Sequence, residues 1–160
     1  MTNLARTLSH SKSLAAILLF FLAGCAPLIG PYSSTAYQNA TSLKATTLAL
    51  MDKAKEPYAS HEKGVESLLV EVDKAYEFVN GIPSNSISAK QWDILKKPDG
   101  KLLGKFAVRW KGDSTLSQDF IDEFKGLVRD AFDEIICLEA NKKEATTCNE
   151  KGGSHGRQVR

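Results

Sequence analysis

The chain has 160 residues, of which 42% are hydrophobic, 8% aromatic and 25% charged, with 21 basic and 19 acidic side chains. This length predicts a single domain, and the composition excludes a collagen-like or wholly disordered chain. Three cysteines are too few for a fold built on disulfide bonds.

Residues 1–24 have the layout of a secretory signal peptide. Arg6 and Lys12 carry its positive charge, and a run of apolar residues follows from Leu14 to Ala23. As a helix this run would span about 15 Å, roughly half of a bilayer core, which disfavours a permanent transmembrane helix. We therefore predict an export signal that is removed from the mature protein.

The signal ends in the tetrapeptide Leu22-Ala23-Gly24-Cys25. It resembles the lipobox of bacterial lipoproteins, in which a leucine and two small residues precede a cysteine. The resemblance implies diacylglyceryl transfer to the Cys25 sulfur, cleavage before Cys25, and acylation of the new amino group, for example by palmitate. Two or three acyl chains make membrane attachment lasting, whereas one chain binds only marginally. The alternative is a conventional secretory signal, cleaved near Ala23-Gly24.

The residue after the predicted lipidation site bears on localisation. Ala26 follows Cys25, and the resemblance implies delivery to the periplasmic side of an outer membrane, because Asp is the familiar inner-membrane retention signal at this position. An inner membrane or a Gram-positive cell membrane stays an open alternative.

Without the signal peptide, the numbers of basic and acidic side chains balance. This balance argues against nucleic-acid binding, because that function requires a basic surface.

The mature chain divides into a tether, a helical domain and a tail. Residues 25–34 contain two prolines and one glycine, and they predict an extended tether of at most about 35 Å. Residues 35–140 form the predicted helical domain. Residues 141–160 carry five basic and two acidic side chains and predict a flexible basic tail.

The sequence predicts an all-α fold, an antiparallel bundle of four to five helices, because apolar residues recur at spacings of three and four. The first helix is predicted to start at Ser34 and to stop or kink at Glu56-Pro57, since a residue before proline avoids helical geometry. The second is predicted between an N-cap at Ser60 and a stop at Gly81. Its predicted apolar face consists of Val65, Leu68, Leu69, Val72, Tyr76 and Val79.

The third helix is predicted from a compact start signal. Ser88 and Gln91 match a capping box, and Ile87 and Trp92 occupy the positions of a hydrophobic staple. The turn signal at residues 98–100 is predicted to end this short helix.

Two further helices follow. Residues 102–110 show a helical apolar face, although Gly104 adds about 1 kcal/mol of helix cost relative to alanine. The last helix is predicted to start after an N-cap at Ser117 and to run to about Glu144. Its predicted apolar face consists of Phe120, Phe124, Leu127, Val128, Ala131, Phe132, Ile135 and Leu138.

Two cysteines remain once Cys25 is lipidated. In an exported protein, Cys137 and Cys148 suggest a disulfide that pins the start of the tail to the last helix. A continuous helix would hold the two residues about 16 Å apart, so this bridge requires the helix to end between them. The alternative is a buried Cys137 and a free Cys148.

A strip of basic and aromatic residues is the candidate partner-binding site. Aromatic side chains carry much of the energy at recognition sites, and the cations would suit an acidic partner or lipid headgroups. The alternative is that the aromatic residues fill the core around the third helix. The strip consists of Trp92, Lys101, Lys105, Phe106, Arg109 and Trp110.

Catalytic and metal-binding signatures are weak in this sequence. His61-Glu62 with Glu66 one turn later offers too few ligands for a usual zinc site, and a solvated first helical turn explains it better. There is no Gly-x-Ser-x-Gly elbow, phosphate-binding glycine loop or His-Glu-x-x-His motif. We therefore predict no catalytic residue, no metal and no cofactor.

Three functions are compatible with these features. The leading hypothesis is a lipid-anchored, non-enzymatic module that binds another cell-envelope protein as a pilot, assembly factor or inhibitor. The second is a binder of a small hydrophobic ligand between helices, which requires an enclosed apolar cavity of several hundred Å³. The third is an envelope hydrolase, which requires a cleft with polar groups converging on His61 or on paired carboxylates.

Overall fold

The structure, a computed structural model, describes residues 29–142. The predicted signal peptide, Cys25, Cys148 and most of the predicted tail lie outside these residues. Five α-helices and no strand form the described part, which confirms the all-α prediction. Two 3-10 turns, Asp52–Lys55 and Tyr58–Ser60, join the first two helices. The helices are α1 Ser34–Met51, α2 Glu62–Asn80, α3 Ser86–Lys96, α4 Leu103–Asp113 and α5 Gln118–Asn141.

Helices α1 and α5 pack side by side and run in opposite directions. Lys44 of α1 pairs with Asp133 of α5, and Asp52, the residue directly after α1, pairs with Lys125 of α5. As the residue number rises from 44 to 52, the number of the α5 partner falls from 133 to 125, so the two helices run in opposite directions.

No helix in the described residues 29–142 is long and apolar enough to span a membrane.

The short helix α3 packs between α2 and α5. Lys96 pairs with Asp73 of α2, and its ammonium lies 4.0 Å from the centre of the Tyr76 ring. On the other side, Trp92 meets Phe132 of α5 edge-on, with ring centres 5.8 Å apart. Aromatic pairs of this geometry add about 0.5–1.5 kcal/mol to the gain from burial, so α3 is firmly held.

The buried faces agree with the predicted stripe on α2, and they differ from the predicted stripe on α5 at one of its residues, Leu127. On α2 the predicted residues are buried or partly buried. On α5, Leu127 is exposed, while Ile121 and Glu139 are fully buried. The prediction for Leu127 is wrong because α1 and α3 cover a stripe centred on Val128 and Phe132.

The helix starts confirm one predicted cap and correct another. The Ser117 hydroxyl accepts a hydrogen bond from the Phe120 amide at 3.4 Å, as an N-cap does. Ser60, in contrast, lies inside a 3-10 turn, and α2 begins at Glu62 after His61. Pro57 causes this difference, because it interrupts the helix and the chain makes a 3-10 turn before it becomes helical again.

The predicted capping box and staple of α3 are wrong. The helix begins at Ser86 after Asn85, so Ser88 lies within its first turn and is buried. The Ser88 hydroxyl donates to Glu139 on α5 rather than capping its own helix. Ile87 points outward while Trp92 is in the core, so they cannot pack together as a staple.

Candidate functional site

The predicted basic and aromatic strip separates into a buried half and an exposed half. Trp92, Phe106 and Trp110 are 0%, 2% and 1% exposed, respectively. An exposed aromatic platform is therefore wrong, and the three rings form core instead. The physical reason is the helical spacing of the two aromatic residues on α4, which places both on the side that faces the bundle.

The cations of the strip lie on the surface. Lys101 is exposed just before α4, and Lys105 and Arg109 follow at intervals of four residues. Val108, half exposed, lies on the same helix. These four residues are called the α4 basic face below.

The charge around the α4 basic face is strongly asymmetric. Residues 90–111 contain seven basic and two acidic side chains. Arg109 pairs with Asp113 of its own helix. Lys101 and Lys105 make no ion pair within residues 29–142.

A second cluster surrounds Trp110 where this residue contacts the 3-10 turns. We call this region the far end of the bundle. The Trp110 indole donates to the Glu56 carbonyl oxygen at 3.1 Å and meets Tyr58 edge-on at 5.6 Å. The imidazole of His61 lies 5.6 Å from the Trp110 ring and 2.7 Å from a Glu56 carboxylate oxygen. His61 thus stabilises the turn between α1 and α2. Glu62, its predicted neighbour, pairs with Lys111 instead.

The contact with His61 lowers the pKa of the Glu56 carboxyl, with a smaller lowering by the charge of Lys53. Replacing His61 by Ala should move the pKa of Glu56 up toward the ordinary glutamate value of about 4.3. The stabilisation from this pair should be present above the unfolded-state pKa and disappear as the pH falls through the lowered one. A carboxyl NMR titration measures the shift. Lys53→Ala is the control and should move the pKa less.

A buried polar cluster, which the sequence analysis missed, joins α3 to the end of α5. The Lys142 ammonium donates to Asn85 Oδ1, to Ser88 Oγ at 2.8 Å and to Glu139 Oε1 at 2.7 Å. Ser88 Oγ also lies 2.7 Å from Glu139 Oε1, and Asn85 Nδ2 donates to the Val79 carbonyl at 3.0 Å. The three protons of the ammonium are matched by three acceptors.

The chemistry of this cluster favours a structural role. A serine hydroxyl beside a lysine amine can act as a nucleophile and base, but only when the amine is neutral and the serine is reachable. Here Lys142 forms an ion pair with Glu139, and the two side chains are 1% and 0% exposed. Ser88 is 1% exposed, so a substrate has no access to it.

One signal in the sequence could have revealed the cluster. Glu139 follows Ile135 by four residues and Phe132 by seven, so it continues the buried stripe of α5. A charged residue on such a stripe is almost never fully buried unless it is paired. Lys142, one turn further on, is the partner that this rule demands.

Cys137 lies on α5 beside the buried cluster. It is disulfide-bonded, and its sulfur accepts a hydrogen bond from Asn141 Nδ2 at 3.3 Å. Cys148 lies outside the described residues, so the Cys137–Cys148 pairing stays a prediction. The last helix ends at Asn141, before the predicted end at Glu144, and an end before Cys148 is what this pairing requires.

The interior offers little room for a ligand. The apolar space enclosed by α1, α2 and α4 has a volume of about 10 Å³, roughly the space of one water molecule. A drug-sized hydrophobic ligand needs at least about 300 Å³. Within residues 29–142, no three His, Cys, Asp or Glu side chains come together as metal ligands would.

Comparison of the chain with family models, curated proteins and solved structures finds no significant match.

Proposed function

We propose that this chain is a lipoprotein, anchored through acylated Cys25 on the periplasmic side of an outer membrane, whose helical domain binds another cell-envelope protein without catalysis. The lipobox resemblance at residues 22–25 supports the anchor. The α4 basic face supports the binding role, and it is the observation that carries the proposal.

The α4 basic face has the properties of a protein-docking surface. Two of its cations, Lys101 and Lys105, have no ionic partner within the described residues, and Val108 adds an exposed apolar side chain. Behind it, Phe106 and Trp110 fix the helix in the core, so that docking costs little conformational entropy. Such a face selects an acidic partner, because complementary charge speeds encounter and suppresses wrong partners.

The proposal is tested by photocrosslinking in whole cells. A photoreactive amino acid at Val108 should capture one envelope protein with an acidic surface, and the same group at Val70 of α2 should not. Val70 is a matched control because both valines are about half exposed. Cys25→Ser should remove the protein from the membrane fraction and abolish the capture.

Charge reversal tests whether the cations make the contact. The double variant Lys101→Glu/Lys105→Glu should lower capture about tenfold or more, which corresponds to a loss of about 1.4 kcal/mol of binding free energy. The matched control is Lys55→Glu/Lys63→Glu, which reverses two exposed lysines that have no ion pair within residues 29–142. Equal capture by both double variants, or equal capture from positions 70 and 108, would contradict the proposal.

A further inference from the structure

Both ends of the described chain meet at one end of the bundle. A Cβ atom on Gly30 would stand 3.1 Å from Asn85 Oδ1 and 3.1 Å from the Pro83 carbonyl oxygen. Lys142, at the other end of the described chain, donates to the same Asn85. We call this region the tether end. It is opposite the far end, where Trp110 contacts the 3-10 turns.

The tether end carries four of the eight large hydrophobic side chains that are exposed within residues 29–142. Ile29 and Tyr32 lie on either side of Gly30, which touches Asn85. Phe78 precedes Val79, whose carbonyl accepts from Asn85, and Ile87 follows Asn85 by two residues. We call Ile29, Tyr32, Phe78 and Ile87 the tether-end apolar face.

The length of the tether decides what this face can meet. Cys25 lies four residues before Ile29, so at most about 14 Å of extended chain separates them. If Cys25 is lipidated, its acyl chains place it at the headgroup level of a bilayer. Ile29 must then lie within about 14 Å of that surface, and the rest of the tether-end apolar face lies at the same end of the bundle.

We infer that the tether-end apolar face rests on the bilayer surface, where its side chains enter the boundary between headgroups and acyl chains. The inference rests on the proposed lipidation of Cys25. Tyrosine and aliphatic side chains suit this boundary because it is apolar on one side and wet on the other. Residues 143–160 start from the same end with four basic and two acidic side chains, a charge that anionic headgroups attract.

This orientation would direct the far end into the periplasm. The 19 residues of α2 separate the two ends by about 28 Å. Helix α4 leads from the end of α3 to the far end, where Trp110 meets Glu56. The α4 basic face would therefore be clear of the membrane and open to a protein partner.

The test attaches the protein to vesicles without relying on lipidation in cells. The mature chain, residues 25–160, is coupled through the Cys25 thiol to a maleimide lipid, and mass spectrometry verifies the coupled residue. The vesicles contain mostly phosphatidylethanolamine with a minority of phosphatidylglycerol, with or without bromine at a shallow acyl position. Trp92 and Trp110 are buried and give a constant background of emission.

The variant Ile87→Trp reports on the tether end, and Val108→Trp is the matched control, since both native side chains are about half exposed. Because an interfacial apolar face enters about 5–10 Å into the headgroup and acyl boundary, bromine should roughly halve the added emission of Ile87→Trp. It should leave that of Val108→Trp unchanged. Phe78→Trp should behave as Ile87→Trp does, which guards against a local effect of one substitution.

Two results would overturn the inference. One is the absence of quenching for Ile87→Trp and Phe78→Trp while the protein is bound to the vesicles. The other is equal quenching of Val108→Trp, which would mean that the bundle has no preferred orientation. Failure of lipidation itself is a separate result, because it would show as unchanged membrane fractionation of Cys25→Ser in cells.

Discussion

The variant Lys142→Met should lose about 3–5 kcal/mol of unfolding free energy, because it leaves the carboxylate of Glu139 buried without its counter-charge. Glu139 is fully buried, and its Oε2 has no hydrogen-bond partner within residues 29–142. Within residues 29–142, Lys142 and Ser88 are therefore the groups that offset the free-energy cost of burying the Glu139 carboxylate. Urea unfolding followed by circular dichroism measures the loss.

The chain offers a matched control for this variant. Glu71 and Lys74 form an ion pair at the same spacing of three residues, but both side chains are more than half exposed. Lys74→Met should change the unfolding free energy by less than about 1 kcal/mol, as is usual for surface pairs. Equal losses from Lys74→Met and Lys142→Met would show that the Lys142 pair is not buried.

The double variant Glu139→Leu/Lys142→Met separates burial of charge from loss of packing. Replacing both partners of a buried ion pair by apolar residues is often neutral or stabilising by about 1–4 kcal/mol. We expect the double variant to recover most of the stability that Lys142→Met loses. If the double variant is no more stable than Lys142→Met, the desolvation argument is wrong.

Gly104→Ala should lower the unfolding free energy by about 1–3 kcal/mol or more, although alanine is the better helix former. An added Cβ would lie closer than 3.0 Å to the backbone carbonyl oxygens of Lys96 and Lys97, because the start of α4 packs against the end of α3. Backbone atoms cannot rotate aside as a flexible side chain can. The whole α3–α4 junction would have to move, and thermal or urea unfolding should reveal the loss.

Gly126→Ala should have the opposite effect on the unfolding free energy. Gly126 lies within α5, and nothing stands within 4 Å of a Cβ placed there. The substitution should therefore stabilise the protein by about 0.5–1 kcal/mol, the ordinary gain from replacing glycine in a helix. A gain from both substitutions would mean that α3 and α4 are further apart than the structure shows.

The sequence by itself determined the helical class, most of the buried face of α2 and several helix ends. These features depend on interactions within a few residues. The spacing of Val65, Leu68 and Val72 is enough to define one face of a helix, and Ser117 can cap α5 without any tertiary contact. The same local rules predict a weak point at Gly104, and only the close approach of the Lys96 and Lys97 carbonyl groups shows that glycine is required there.

The tertiary structure alone decided which polar groups are buried and which aromatic rings reach solvent. Ser88 has the local pattern of a cap, but Glu139 lies 51 residues away and offers its hydroxyl a better partner. Likewise, the pattern of Phe106 and Trp110 is compatible with a core face and with an exposed platform, and the structure places both rings in the core. Periodicity tells which residues share a face, but the neighbouring helices decide whether that face meets protein or water.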